Sequence, residues 1–251
     1  MAIKLKFLML KIIYVERLQI IIKLIIYILY IYMDKVISYS LYGNKNMYCL
    51  GLIENIDIIN EKYNDWKVYV YYYDIPENIL NILKNKSNTY LFECCHKGYK
   101  WEGMFWRFYP IEREDINYFL SRDADSRISE REMNLVNEWI CSDKCFHIIR
   151  DHECHGIEIL GGTFGVNVKK FKELSINYNF KNIDYYKEYY YNIYNKDTER
   201  HPDQDFLQKI IYPIIKNDNI SHISYECLRY SDNDILIQTS ENFIGRPIDI
   251  Y

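Results

Sequence analysis

The stretch Ile116-Asn117-Tyr118-Phe119-Leu120-Ser121-Arg122-Asp123-Ala124-Asp125-Ser126-Arg127 runs from an apolar segment straight into two carboxylates flanked by arginines. Its aromatic and β-branched start favours a strand. In an extended segment residues i and i+2 point to the same side. Asp123 and Asp125 can therefore converge on one hard cation at the strand's end. Mg²⁺ and Mn²⁺ take oxygen ligands and are commonly shared with substrate phosphates. An Asp-x-Asp in this position suits an enzyme that handles a diphosphate through a metal. The same spacing recurs at 203/205 and 232/234, but only the first pair follows a strand-like run.

Working outward, strand and helix patterns alternate. Upstream, 36–40 reads as a first strand closed by a turn at Gly43-Asn44, 47–62 as a helix, and 66–73 as a strand of alternating Val and Tyr. A short helix at 76–84 has Pro at its first turn, a strand covers 89–94, and the aromatic segment 101–109 is helix-compatible. Downstream, Ser129-Glu130-Arg131-Glu132 is a capping box that opens a helix to about Trp139. Strands are expected at 146–149 and at 157–168, the second broken by Gly161-Gly162 and Gly165. Residues 169–194 are helical in part, 203–215 is a helix bent at Pro213, and 220–225 is a last strand. Strands separated by helices predict an α/β domain with a mostly parallel central sheet flanked by helices. No G-x-G-x-x-G follows a strand and there is no P-loop.

The chain has 251 residues and a net charge of −4; the first 32 residues hold five cations against Glu16, a net of +4, so the rest carries −8. An acidic body lacks the basic stripe of a nucleic-acid binder, so no nucleic-acid partner is expected. A nucleotide substrate stays open, because a metal and a few arginines can neutralise its charge. The 27 tyrosines come with abundant Ile, Asn and Lys, and these residues share AT-rich codons, so the bias reports a genome. The seven cysteines form no regular framework, which points to a reducing, cytoplasmic compartment. Cys141, Cys145, His147, His152, Cys154 and His155 crowd together without the paired spacing of a structural zinc site.

Residues 1–32 read as an apolar, basic extension, and 33–251 as a single domain. Within the extension, the uncharged run from Leu24 to Met33 has ten residues, against roughly 20 for a full membrane span. Membrane association through this segment, an extra helix on the domain, and a mis-assigned start are the alternatives. A start at Met33 is favoured, since Met33-Asp34-Lys35 directly precedes a clean strand.

In order, the chain carries Arg107 on a short helix, Asp123-x-Asp125, the Gly-broken segment ILGGTFGVNV (159–168), HPDQDFL (201–207) and His222 near the final strand. This co-linear set, over about residues 33–246, resembles the nucleotide-sugar glycosyltransferases of the GT-A fold, within them the glycogenin and bacterial galactosyltransferase group. GMFWRFYPIE, SRDADSRISERE, HIIRDHECH and ILGGTFG also resemble glycosyltransferase-like proteins of bacteria and large DNA viruses, so a virus-encoded enzyme acting in a host cell is one expectation. The resemblance implies a metal-dependent glycosyltransferase that moves a sugar from a UDP- or GDP-sugar to a glycan or glycoprotein acceptor, with Mn²⁺ or Mg²⁺ as cofactor. Asp123, Asp125 and His222 would hold the metal, although SHISYECL stands where the family has a following Gly-Lys-Pro pattern. Arg107, Arg122, Asp123, Gly161 and Gly162 would bind the donor. Asp203 and Gln204 would lie beneath the donor sugar near the reacting carbon, with Asp151 as an alternative base on the acceptor side. Whether configuration is retained or inverted is not readable from the residues.

Each residue also has a structural role open to it. The two aspartates can cap a turn after a strand. Arg122, Arg127 and Arg131 can pair with Glu130 and Glu132. Asp203 can cap its helix, and Gly161-Gly162 can form a bulge. The competing functions are a non-catalytic GT-A-like glycan- or partner-binding protein, and another metal–phosphate enzyme such as a nucleotidyltransferase.

Overall fold

The structure is a computed structural model that describes residues 14–15, 17–18, 21, 34–198, 202–231 and 234–248. The chain divides into two compact units, Met1–Asp34 and Lys35–Tyr251. In the first, Tyr14, Val15, Arg17, Leu18 and Ile21 are helical and exposed. The expectations for residues 1–32 otherwise fall outside the described residues. Among those described, no helix is long and apolar enough to cross a membrane.

The second unit is built on an eight-stranded sheet of order β3-β2-β1-β4-β6-β5-β7-β8. The strands are β1 (Asp34–Tyr42), β2 (Trp66–Tyr73), β3 (Thr89–Glu93), β4 (Ile116–Arg122), β5 (Phe146–Arg150), β6 (Thr163–Asn167), β7 (Asn219–Ser224) and β8 (Asp234–Ile237). β1, β2 and β3 pair parallel, as do β5, β7 and β8. β6 runs against both β4 and β5. The mostly parallel α/β architecture expected from the sequence is therefore observed.

Helices cover both faces. α1 (Asn46–Lys62), α2 (Glu77–Lys84) and α3 (Glu130–Ser142) pack with Ile37, Tyr39, Leu41, Tyr118 and Leu120. On the opposite face lie the aromatic segment Glu102–Glu112, α4 (Val168–Ser175), α5 (Ile183–Tyr191) and α6 (Pro202–Phe206), around Val36, Phe119 and Phe164. Neighbouring strand residues point to opposite faces, so β1 and β4 feed two separate cores. All seven residues of β4 are buried, as a central strand covered on both sides requires.

Several elements differ from expectation for identifiable reasons. Glu102–Glu112 is a 3₁₀ helix with Pro110 inside it; Pro lacks the N–H an α-helical bond needs. Only Thr163–Asn167 of the expected strand 157–168 is extended, since the segment before it turns at Gly161-Gly162. The stretch after α6 winds as a π-helical turn, Leu207–Ile211, before α7 (Tyr212–Ile215). β8 was not expected, because an apolar run of only three residues, Ile235-Leu236-Ile237, is too short to separate a strand from a loop.

Candidate active site

Strand parity decides which side chains of the β4 end enter the site. Ser121 lies on the face opposite Leu120, and its Oγ donates to Gly161 O (2.5 Å). Arg122 points the other way, under α3. Its side chain is 2% exposed, pairs through Nε with Glu132, and donates from Nη1 to Ser121 O and Phe164 O, each at 2.7 Å. Arg122 is thus committed to the core and does not reach a donor, contrary to the sequence expectation. The capping box is half made for the same reason. Ser129 Oγ accepts from Glu132 N (3.1 Å), while the Glu132 carboxylate is occupied by Arg122.

The strand stops at Arg122, and Asp123, Ala124 and Asp125 form the turn after it. Asp123 extends toward the 3₁₀ segment, where it accepts from Arg107 Nη1. Arg107 Nη2 donates to Asp203 Oδ2 (3.1 Å). Arg107 and Asp203 are buried, whereas the Asp123 side chain is 42% exposed. The 3₁₀ segment is held to the sheet by Arg107 N donating to Ser40 Oγ (2.9 Å).

The glycines belong to the same cluster. A Cβ on Gly161 would lie 2.3 Å from Arg107 Nη2 and 3.1 Å from Asp203 Oδ2. One on Gly162 would lie 1.8 Å from Asp123 Oδ2. Gln204 secures this floor: with its amide oriented to satisfy both neighbours, it donates to Ile159 O (3.1 Å) and accepts from Gly161 N (3.0 Å).

Charge is concentrated here. Burial opposes ionisation of Arg107, but Asp123 and Asp203 outweigh it and hold the guanidinium more firmly protonated than usual. Burial raises the Asp203 carboxyl; Arg107 opposes that rise and Asp123 adds to it. Asp125 is pushed up to about 6, first by burial and then by the neighbouring charge of Asp123. A carboxyl whose ionisation is opposed by burial and by a neighbouring charge is one that a divalent cation relieves. The Asp123 carboxylate lies directly against Gly162, in the space a Cβ would fill. Asp123 and Asp125 therefore fit a hard cation.

Two expected participants stand elsewhere. His222 is fully buried on β7, with Nδ1 2.8 Å from His147 Nε2 and Nε2 3.2 Å from Glu138 Oε2 of α3. Its ring faces the α3 side, and it does not join the aspartates. Among the described residues no three His, Cys, Asp or Glu side chains converge as a metal site. Asp151 is also fully buried and saturated: Arg131 donates to it through both terminal nitrogens, and Ile244 N donates to Oδ2 (2.9 Å). A carboxylate so engaged is a structural anchor for the C-terminal segment, not a base toward an acceptor.

Two further residues stand near the site: Tyr42, which the sequence reading did not single out, and His155, which it placed only among the crowded Cys and His residues. Tyr42 ends β1 near Arg107, in space left by Gly103, where a Cβ would lie 2.3 Å from the ring. Its hydroxyl is pushed up to about 12, chiefly by burial, with Arg107 opposing and Asp203 adding. His155 is buried, its Nδ1 accepting from Asp151 N (2.9 Å). Burial first, then His152, draws its pKa down to about 4 against the raising effect of Asp151; Asp123 also acts on it. Accepting at Nδ1 leaves the proton of this neutral ring on Nε2. Tyr42 stands in no recognisable motif, whereas His155 closes the segment HIIRDHECH.

No family model matches the chain, and no characterised protein matches it by sequence. Among solved structures it is similar to residues 1–349 of TarS from S. aureus, with 11% identity over 83% of this chain and 59% of that one, at a TM-score of 0.48. It is also similar to a glycosyltransferase involved in glycosylation of the major capsid of PBCV-1, with 14% identity, 76% and 81% coverage and a TM-score of 0.46. A third is the galactosyltransferase LgtC in complex with donor and acceptor sugar analogues, with 14% identity, 77% and 76% coverage and a TM-score of 0.45. The chain thus spans less than two thirds of the TarS fragment.

Proposed function

We propose that this protein is a metal-dependent glycosyltransferase that uses a nucleoside-diphosphate sugar as donor and a glycan or glycoprotein as acceptor. The observation that carries the proposal is the Arg107–Asp123–Asp203 cluster floored by Gly161 and Gly162. A fixed cation and an accessible carboxylate meet at the end of β4 over two glycines whose missing Cβ atoms make room for them. That combination suits a diphosphate held beside a sugar ring.

In the reaction, the bond from the anomeric carbon to the diphosphate oxygen breaks and a bond to the acceptor oxygen forms, with release of the acceptor's proton. Negative charge builds on the departing diphosphate. Arg107 is kept cationic by its two carboxylates and lies where it can offset that charge. Asp203 holds the guanidinium in place. Asp123 and Asp125 would bind a Mn²⁺ or Mg²⁺ ion, which when present neutralises the diphosphate as a Lewis acid. Gly161 and Gly162, having no Cβ, admit the Arg107 guanidinium and the Asp123 carboxylate against the backbone where the donor would bind, and Gln204 fixes the glycine turn beneath them. No side chain in the described cluster is yet a base for the acceptor, since Asp151 is engaged elsewhere.

The test is a hydrolysis and transfer screen of UDP- and GDP-sugars with Mn²⁺, run beside Asp125→Asn. Donor turnover that needs Mn²⁺ and is lost in the variant supports the proposal. Stabilisation by Mn²⁺ and UDP without turnover of any donor identifies a binding protein instead. No response to any nucleotide diphosphate refutes both.

A further inference from the structure

Two poor helix formers lie inside α1, Gly51 and Asn55, one turn apart on a single face. Both are buried, and both meet the turn that carries the acidic pair. A Cβ on Gly51 would lie 2.3 Å from Ala124 O and 2.7 Å from Arg127 Nη1. The Asn55 side chain, fully buried, donates from Nδ2 to Ser126 O (2.6 Å) and accepts at Oδ1 from Ile128 N (3.0 Å). On the adjoining edge, Arg127 Nε donates to Glu54 Oε2 (2.7 Å). Within the turn itself, Ser126 Oγ donates to Asp123 O (3.2 Å).

We infer that Asn55 is a positioning residue for the proposed metal–diphosphate site, with Gly51 as the contact surface that admits the turn against α1. The inference rests on the assignment of Asp123 and Asp125 to that site. The turn after β4 lies beyond the strand ladder, so no sheet bond holds residues 124–128. From a helix anchored in the core Asn55 bonds one carbonyl and one N–H of the turn, while Ile248 N donates to Asp125 O (2.9 Å) and Arg127 Nη1 donates to Ser126 O (3.2 Å). Buried backbone groups left without partners are costly, which drives the turn into this one arrangement. The backbone that carries Asp125 is thereby fixed two residues from Asp123 before any cation arrives. Neither Asn55 nor Gly51 has a functional group facing the donor, so their contribution is to geometry alone.

The experiment compares the full chain with Asn55→Ala, Gly51→Ala and the control Asn60→Ala, whose side chain sits on the same helix but bonds Ser87 O instead. Two quantities are read: Mn²⁺-dependent UDP affinity by calorimetry, and amide exchange across residues 124–129. Asn55→Ala and Gly51→Ala are expected to weaken Mn²⁺·UDP binding at least tenfold and speed exchange in the turn at least tenfold; Asn60→Ala changes neither by more than twofold. Gly51→Ala keeps the test decisive if Asn55→Ala does not fold, because alanine favours the helix while crowding the turn. A folded variant at either position with affinity or exchange within twofold of the unmodified protein overturns the inference. If the unmodified protein itself binds no Mn²⁺·UDP, the proposed function falls, and exchange in the turn alone decides whether α1 orders it.

Discussion

Replacing Gly162 with alanine separates the chemistry of the site from the stability of the fold. The added Cβ would lie 1.8 Å from Asp123 Oδ2 and 2.4 Å from its Cγ, so the carboxylate must rotate away and leave Arg107. Asp123 has room to do so, being 42% exposed on its side chain. Overpacking a tight core costs about 1–3 kcal/mol, and here the yielding group swings into solvent, so the global cost should fall at or below the lower end, about 1 kcal/mol. Gly161 is the internal contrast. Its Cβ would strike Arg107 Nη2 at 2.3 Å, and Arg107 and Asp203 are 10% and 4% exposed on their side chains, leaving nowhere to move. Gly161→Ala should therefore reach the upper end, about 3 kcal/mol. Urea unfolding gives the stabilities and calorimetry the affinity for Mn²⁺·UDP. The expected result is a Gly162→Ala protein nearly as stable as the original that has lost at least tenfold in affinity. Unchanged affinity in a folded Gly162→Ala protein would refute the placement of Asp123 at the ligand.

Asp125→Asn should stabilise the protein at pH 7 while abolishing Mn²⁺ binding. Its carboxyl is raised to about 6 by burial and by Asp123, so its ionisation opposes folding by on the order of 1–3 kcal/mol, a cost the neutral amide avoids; urea midpoints and manganese titration check the two halves. Arg122→Met should cost about 3–5 kcal/mol, because it leaves Glu132 charged in a site where both side chains are 2% exposed; equilibrium unfolding measures it, and a change below about 1 kcal/mol would contradict the buried pair. Stability should also fall on acidification below about pH 6.5. Burial, together with His222 and Arg122, depresses the folded pKa of His147 well below the ordinary value. The unfolded chain then binds a proton the folded one does not, which contributes a slope of about 1.4 kcal/mol per pH unit for one proton. His147→Gln should flatten the pH 5–6.5 limb of the stability profile, and an unaltered slope would show that the imidazole titrates normally in the fold.

Much of the fold was legible because its signals are local. The Val–Tyr alternation of 66–73, the apolar spacing of 47–62 and the Ser129 cap each report a short stretch of chain, and each element appears within a few residues of its expected place. The candidate site was legible where residue type itself limits the chemistry: Arg107, Asp123, Asp203, Gln204 and the glycine pair do come together. Arg122 and Asp151 misled because an arginine or aspartate beside a motif looks the same whether it faces a ligand or a buried counter-charge. His222 misled because its place near the last strand says nothing of which face it takes.

By itself the sequence determined an α/β domain with an acidic turn after a central strand, since periodicity and residue chemistry act over a few positions. Only the tertiary structure decided the partners. Whether Arg122 or Arg107 meets the acidic turn depends on the parity of β4 and on what packs over each face. That α1 reaches across to hold the turn depends on residues more than seventy positions apart in the chain, a proximity that no local pattern encodes because it arises from the packing of the whole sheet.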